Sequence, residues 1–239
     1  MLVSVVIPAY NEEKYLPKTL ESLKDQAHSD FDYEVIVVDS QSRDKTTEVA
    51  QRYGAQVLSI PKKTPAFARQ KGVEQAKGEI IICLDADTLA PKDLLRTVIF
   101  EFKKDPNLVG LTGIIDGWGG ALWQNFLYKW VNALFAKLNY FLGRPGFQGQ
   151  SFAFRKEAFL KIGGFRTELH TGEDFDLGIR MAKIGKVKFL LKTFGVSSLR
   201  RTKEGLSKTV SRGFLSYLRV VWRLPFGKPQ EKKPFPAIR

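Results

Sequence analysis

Two aspartates one residue apart, Asp85-Ala86-Asp87, directly follow the apolar run Ile80-Ile81-Ile82-Cys83-Leu84. Such a run reads as a buried strand. Carboxylates at its end can both face a crevice if the backbone turns there. Their hard oxygens suit Mg²⁺ or Mn²⁺. A divalent ion held in this way bridges diphosphate oxygens and stabilises charge on a departing phosphate group. The plainer alternative is a turn with one helix cap. Cys83, the single cysteine of the chain, reads as a core thiol and excludes an internal disulfide framework.

A second acidic pair, Glu173-Asp174, stands after Gly172 at the head of a segment with helical spacing. A carboxylate near a hydroxyl can take its proton as general base. The same two acids can equally serve the positive end of a helix dipole. Asp176 and Arg180 lie four apart and are expected to pair along the helix. His170 precedes the acidic pair by a few residues and reads as solvated or as a substrate contact, while His28 reads as surface.

The elements that must carry these residues come from periodicity. Val3 to Ile7, Glu34 to Val38, Ala55 to Ile60 and Glu79 to Leu84 are short, Val- and Ile-rich runs bounded by polar turns, and so read as strands. Lys14 to Gln26, Asp44 to Tyr53 and Pro65 to Ala76 have helical spacing between them, with Asp44 as an N-cap. This β-α-β-α order predicts a parallel sheet with right-handed crossovers and helices on both faces. Ligands of such sheets bind beyond the carboxyl ends of the strands. Pro8 to Glu12, Asp39 to Asp44 and Asp85 to Thr88 all lie just past predicted strands, so three polar loops should share one crevice. Further on, Pro91 to Lys104 reads as a helix with Pro91 in its first turn, and Leu108 to Ile115 reads as a strand. Ser151 to Phe154 reads as another strand, with helices at Lys156 to Ile162 and Glu173 to Ile184. A strand is also expected ahead of Arg200-Arg201.

These motifs, in this order, resemble the family-2 glycosyltransferases. The resemblance runs from Val3 to about Arg201. It rests on Pro8-Ala9-Tyr10-Asn11-Glu12, Asp39, Arg69-Gln70-Lys71-Gly72, Asp85-Ala86-Asp87, Gly163-Gly164-Phe165 and Gly172-Glu173-Asp174. It implies an α/β fold of the GT-A type, with a Rossmann-like, mainly parallel central sheet flanked by helices. It also implies an inverting transfer of sugar from a nucleotide-diphosphate donor, with Mg²⁺ or Mn²⁺ as cofactor. Pro8, Ala9, Tyr10 and Glu12 then line the nucleotide pocket, and Asp39 meets the base. Ser40 stands where many members carry a second acid, which leaves uracil and guanine both open. Asp85 falls near ribose and metal, Asp87 becomes the direct metal ligand, and Arg69, Ala86 and Arg201 complete the donor side. Asp174 becomes the catalytic base, with Glu173, Gln150 and Ser151 supporting the acceptor loop. Ser197 and Ser198 occupy the region where many relatives carry a metal-binding His.

The chain's formal charge of +13 is uneven. From Arg180 to Arg239 there are 16 Lys and Arg against two acids, Glu204 and Glu231, and the preceding residues are close to neutral. This excess calls for an anionic partner or forms a solvated basic face. Gly119 to Gly143 is a long aromatic helical stretch interrupted by Lys129, Lys137 and several Asn and Gln. It reads as a core helix, an oligomer contact or a helix lying in a membrane interface. Leu206 to Leu224 has a similar basic and aromatic make-up.

The organisation expected is a transferase domain over 1–205, with a donor half (1–115) and an acceptor half (116–205). A basic amphipathic extension follows over 206–239. No run of 18 apolar residues and no signal peptide stand out, so the expected location is the cytoplasm, on the membrane's cytoplasmic face. The expected acceptor is lipid-linked or a surface glycan. Two other classes compete. A nucleotidyltransferase shares the doubly wound sheet but places a Gly-rich basic loop after the first strand. A non-catalytic membrane or nucleic-acid binder leaves three acidic loops unexplained, and acids repel nucleic acid.

Overall fold

The computed structural model describes residues 1–26, 31–169 and 171–200. Its elements run β1 (Val3–Ala9), α1 (Leu16–Lys24), β2 (Tyr33–Asp39), α2 (Thr46–Arg52), β3 (Gln56–Ser59), α3 (Pro65–Gln75), β4 (Ile80–Leu84) and β5 (Thr88–Leu89). They continue with α4 (Leu94–Lys104), β6 (Leu108–Trp118), α5 (Leu122–Phe141), β7 (Ser151–Arg155), α6 (Lys156–Lys161), α7 (Glu173–Met181) and β8 (Lys186–Ser198).

All strands join one sheet in the order β3-β2-β1-β4-β7-β6-β8-β5. The first four strands pair in parallel, as the alternating pattern requires. β1 is apolar on both faces. Val3, Val5 and Ile7 enter one core with Leu16, Leu20 and Leu95, and Val6 enters the other with Val73, Phe152 and Phe159. Near-continuous apolar runs of this kind are what a central parallel strand needs. The chain leaves β1 for β2 and β3, then returns to β4 on β1's other side. The switch point therefore lies between the carboxyl ends of β1 and β4, where open α/β sheets bind ligands.

The second half departs from a parallel sheet. β7 inserts antiparallel between β4 and β6, while β8 runs parallel to β6 with register breaks near Ile114. The short β5 pairs antiparallel with the end of β8. This edge returns the chain to the first-half loops, since Ser198 N donates to Asp87 O at 3.0 Å.

Local boundaries differ from the sequence reading in instructive ways. Asp44 does not cap α2. The N-cap position is Lys45, and the Asp44 carboxylate instead accepts from Thr46 N and Glu13 N. It thus ties two loops together. α4 begins at Leu94, because Pro91 first forms a turn whose carbonyl accepts from Leu94 N. α7 ends at Met181. α3 begins as expected: the Thr64 side chain accepts from Phe67 N, and Pro65 fills the first turn. α3 also sits unusually close to the sheet. A Cβ at Gly72 would lie 2.3 Å from Val6 Cγ1, so only glycine allows this approach. Arg69, one turn earlier, is thereby lowered toward the strand ends.

Candidate active site

The loops after β1 and β2 form one tied unit. Asn11 and Gln41 both adopt left-handed backbone (φ 56 and 60), uncommon for non-glycine residues and concentrated at functional sites. Asn11 N donates to Ser42 Oγ at 2.9 Å, and Arg43 N donates to Asn11 Oδ1 at 2.8 Å. Glu12 N donates to Thr46 Oγ1 at 2.8 Å. Ala9 and Asp39 are register partners, so both loops leave the sheet level with each other. Asp39 is 4% exposed, and its carboxylate accepts from Ser42 N at 3.1 Å. Tyr10 is half-buried beneath Lys62, whose Nζ lies 3.8 Å from the ring centroid. Hydrogen bonding to Lys62 holds the Tyr10 phenol below its ordinary pKa.

The Asp85-Ala86-Asp87 turn is fixed by its backbone. Thr19 Oγ1 donates to Ala86 O at 2.8 Å, Trp118 Nε1 to Asp87 O at 3.3 Å, and Asp85 N to Gln150 O at 3.0 Å. Ala86 points into the core, leaving the two aspartates on either side of it. Each carboxylate meets an arginine. Arg200 Nε lies 2.9 Å from Asp87 Oδ2. The same guanidinium donates to both Glu12 carboxylate oxygens, at 2.8 and 2.5 Å. Burial disfavours its charge, but Glu12 and Asp87 outweigh that and raise its pKa.

Arg69 is the hub on the other side. It is 4% exposed. Nη2 donates to Asp85 Oδ1 at 2.6 Å and to Gly149 O at 3.1 Å, and Nη1 donates to Glu173 Oε1. Burial opposes its charge; Asp85 and Glu173 more than offset this and hold the guanidinium firmly charged. Its two terminal nitrogens are therefore engaged within the protein.

Gly172, in left-handed backbone with φ 76, turns the chain into α7 so that Glu173 is buried and Asp174 is half-buried. Burial pushes the Asp174 carboxyl up to about 7, and the neighbouring Glu173 charge adds to the shift. A Cβ on Gly149 would lie 2.7 Å from Asp174 Oδ2, so the carboxyl rests against bare backbone. Gln150 Nε2 donates to Tyr128 Oη at 3.3 Å. Ser151 is fully buried, its Oγ donating to Phe194 O at 2.7 Å. Asp176 pairs with Arg180 as the spacing predicts, at 2.7 Å, and also with Arg166 at 3.2 Å. Cys83 is buried, and desolvation pushes its thiol up to about 12, the behaviour of a core thiol.

Pro8, Ala9, Tyr10, Glu12, Asp39, Asp85, Ala86 and Asp87 thus converge at the switch point, and Arg69 links Asp85 to Glu173 beside Asp174. His28, His170, Arg201 and 206–239 lie outside the described residues. From the chain alone, Gly146 to Ser151 reads as a turn or as a close backbone approach that shapes the acceptor site, and Arg200-Arg201 as able to reach the diphosphate. The tie that Trp118 makes and the pairing of Arg200 with Glu12 have no such signal. The only signal for Arg200 was its position just past a strand. Among the described residues no three His, Cys, Asp or Glu side chains cluster as a complete metal site.

A sequence model of the family described as "Glycosyl transferase family 2" matches residues 4–163. The chain belongs to that family. This family-2 chain is a glycosyltransferase with the GT-A fold. A dolichyl N-acetyl-alpha-D-glucosaminyl phosphate 3-beta-D-2,3-diacetamido-2,3-dideoxy-beta-D-glucuronosyltransferase of Methanococcus voltae is 26% identical, over 94% of this chain and 78% of that protein. The amylovoran biosynthesis glycosyltransferase AmsB of Erwinia amylovora is 32% identical, over 79% of this chain and 66% of its own length. Among solved structures, the mannosyltransferase PcManGT of Pyrobaculum calidifontis, in complex with GDP-Man and Mn²⁺, superposes with a TM-score of 0.71 at 22% identity. It is matched over 95% of this chain and 65% of its own. S. aureus TarS 1-349 in complex with UDP-GlcNAc superposes with a TM-score of 0.67 at 22% identity, over 84% of this chain and 59% of that one. The chain thus spans about three fifths of these solved structures, and at such identity they speak to the fold.

Proposed function

We propose that this glycosyltransferase moves a sugar, with inversion, from a UDP- or GDP-sugar to a hydroxyl or phosphate acceptor on a lipid-linked or surface glycan. The observation that carries this reading is the turn at Gly149 and Gln150. Gly149 O accepts from Arg69, Gln150 O accepts from Asp85 N, and the Asp174 carboxyl abuts Gly149. One short segment thereby ties the diphosphate side of the crevice to the carboxylate that would take the acceptor's proton. The M. voltae relative's name specifies a dolichyl-linked acceptor. The solved neighbours' titles specify UDP-GlcNAc and GDP-Man. Both support the donor and acceptor classes named here. The half over 1–115 binds the donor and that over 116–205 receives the acceptor, with the protein held peripherally on the cytoplasmic face of the membrane.

In this reading Asp174 accepts the acceptor's O–H proton as that oxygen bonds to the anomeric carbon. The bond from that carbon to the donor's phosphate oxygen breaks, and its electron pair leaves with the nucleoside diphosphate. The transition state has oxocarbenium character and needs no covalent intermediate. Mg²⁺ or Mn²⁺, when bound, compensates charge on the leaving diphosphate. Asp87 would hold it, with Asp85 alongside and the donor supplying further oxygens. The hard oxygens of the Asp87 carboxylate suit such an ion, which would share that carboxylate with, or displace, the Arg200 guanidinium now 2.9 Å from Asp87 Oδ2. Nucleotidyl transfer finds no support: β1 is followed by Tyr10-Asn11-Glu12, without a Gly-rich basic loop.

A panel of UDP- and GDP-sugars with Mn²⁺ or Mg²⁺, read by thermal shift, tests the donor class. At least one should raise the melting midpoint, and none doing so refutes the donor. Asp174→Asn should abolish transfer while leaving that shift intact. A lost shift in that variant refutes the base role.

A further inference from the structure

α5 is inverted in polarity. Toward the protein it presents Ala133, Ala136 and Asn139, all buried. Toward solvent it presents Leu122, Phe126, Trp130, Leu134, Leu138 and Phe141. Leu122 is 89% exposed, Leu134 69% and Phe141 87%. Successive spacings of four and three residues put these side chains on one stripe. At about 1.5 Å per residue the stripe is about 30 Å long. Exposed apolar surface on this scale marks an interaction site. α5 therefore is not a core helix.

The charge around the stripe selects among occupants. No Asp or Glu occurs between Asp116 and Glu157, and α5 carries Lys129 and Lys137, with Arg144 just beyond. Lys129 is paired with Asp116 at 2.9 Å. Lys137 lies exposed beside the stripe. Pairing α5 with a second copy of itself would leave Lys137 on each side without a carboxylate on the facing helix. Anionic lipid headgroups supply that counter-charge at every such position. Trp123, Trp130 and Tyr140 are also residue types favoured where hydrocarbon meets headgroups. Among the described residues no helix is long and apolar enough to cross a bilayer, so α5 would lie along the surface.

We propose that the outward stripe of α5 is the docking surface for an anionic lipid bilayer, lying in its interface. This rests on, and deepens, the lipid-linked acceptor reading above. The inner side of α5 supports this orientation. Tyr128 Oη accepts from Gln150 Nε2 at 3.3 Å, and Asn132 O accepts from Gln148 Nε2 at 3.4 Å. Phe135 packs on Phe175, next to Asp174, with ring centroids 6.4 Å apart. A bilayer on the stripe is thus separated from the acceptor corner by one helix, and an acceptor anchored in it emerges beside Asp174.

The full chain should sediment with vesicles containing phosphatidylglycerol, and vesicles of brominated phosphatidylglycerol should quench its tryptophan fluorescence. The double variant Phe126→Ser, Leu134→Ser should weaken both signals about tenfold or more. Unchanged binding and quenching in the variant would overturn the proposal. So would a dimer, seen by ultracentrifugation of the parent without lipid, that the variant dissolves. The nucleotide-sugar thermal shift, repeated on both proteins, scores the donor separately, because neither substitution lies in the donor crevice. A preserved shift with lost vesicle binding supports docking through α5. Absent shifts in both proteins refute the nucleotide-sugar donor, while vesicle binding present in the parent and lost in the variant still supports docking through α5.

Discussion

Arg69 and Asp174 set the behaviour of the site at the scale of single residues. Arg69 neutralises Asp85 and the buried Glu173 at once. Arg69→Met leaves Glu173 as an uncompensated buried charge, which costs about 3–5 kcal/mol. Urea denaturation should show a loss of that order, together with loss of transfer. Lysine would not rescue it fully, because a single ammonium cannot copy the planar fork that meets three acceptors. Asp174 accepts a proton only when ionised. Its pKa of about 7, against an ordinary 3.8, moves that requirement to neutral pH. The kcat/KM profile should rise as pH climbs through about 7, where an unperturbed aspartate would give a limb near 4. The sign for stability is opposite. The folded value lies above the unfolded one, so the folded state holds the extra proton, and this contribution is lost progressively as pH rises from 3.8 to about 7.

At the scale of elements, the site depends on close approaches of backbone. Gly72 seats α3 on β1 and β2, which lowers Arg69 into the crevice. Gly149 lets the turn before β7 touch the Asp174 carboxyl. Gly149→Ala forces that carboxyl aside. Misplacement on this scale costs about 10²-fold in kcat, while the melting midpoint should stay within a few degrees of the parent. A kinetic assay paired with a thermal melt separates the two, and a variant of full activity would contradict the packing argument. These contacts explain why parts of the site could not be read from the chain. The DAD pair, Asp39 and the Glu-Asp pair follow strands and turns that have clear periodicity. The roles of Gly149, Trp118 and Arg200 depend on β7 and β8 folding back beside β4 and β6, and no local pattern encodes that pairing.

At the scale of the molecule, one crevice at the switch point collects the acidic loops, and one apolar helix lies across the acceptor side. The parallel half was legible because each strand of β1, β2 and β4 is an apolar run followed by a polar loop. The same local rule assigned α5 its helix and left open which way it faced. Helical period fixes which side chains share a stripe, and only the packing of Ala133 and Ala136 against the sheet decides that the aromatic stripe points out. Arg69 shows the same division. Its charge and its place on α3 follow from sequence, as does a site rich in carboxylates. That its guanidinium joins Asp85 to Glu173, 104 residues apart from Arg69 in the case of Glu173, was decided by tertiary structure. Contacts over such separations are set by how layers pack, and periodicity within a helix or strand carries no information about them.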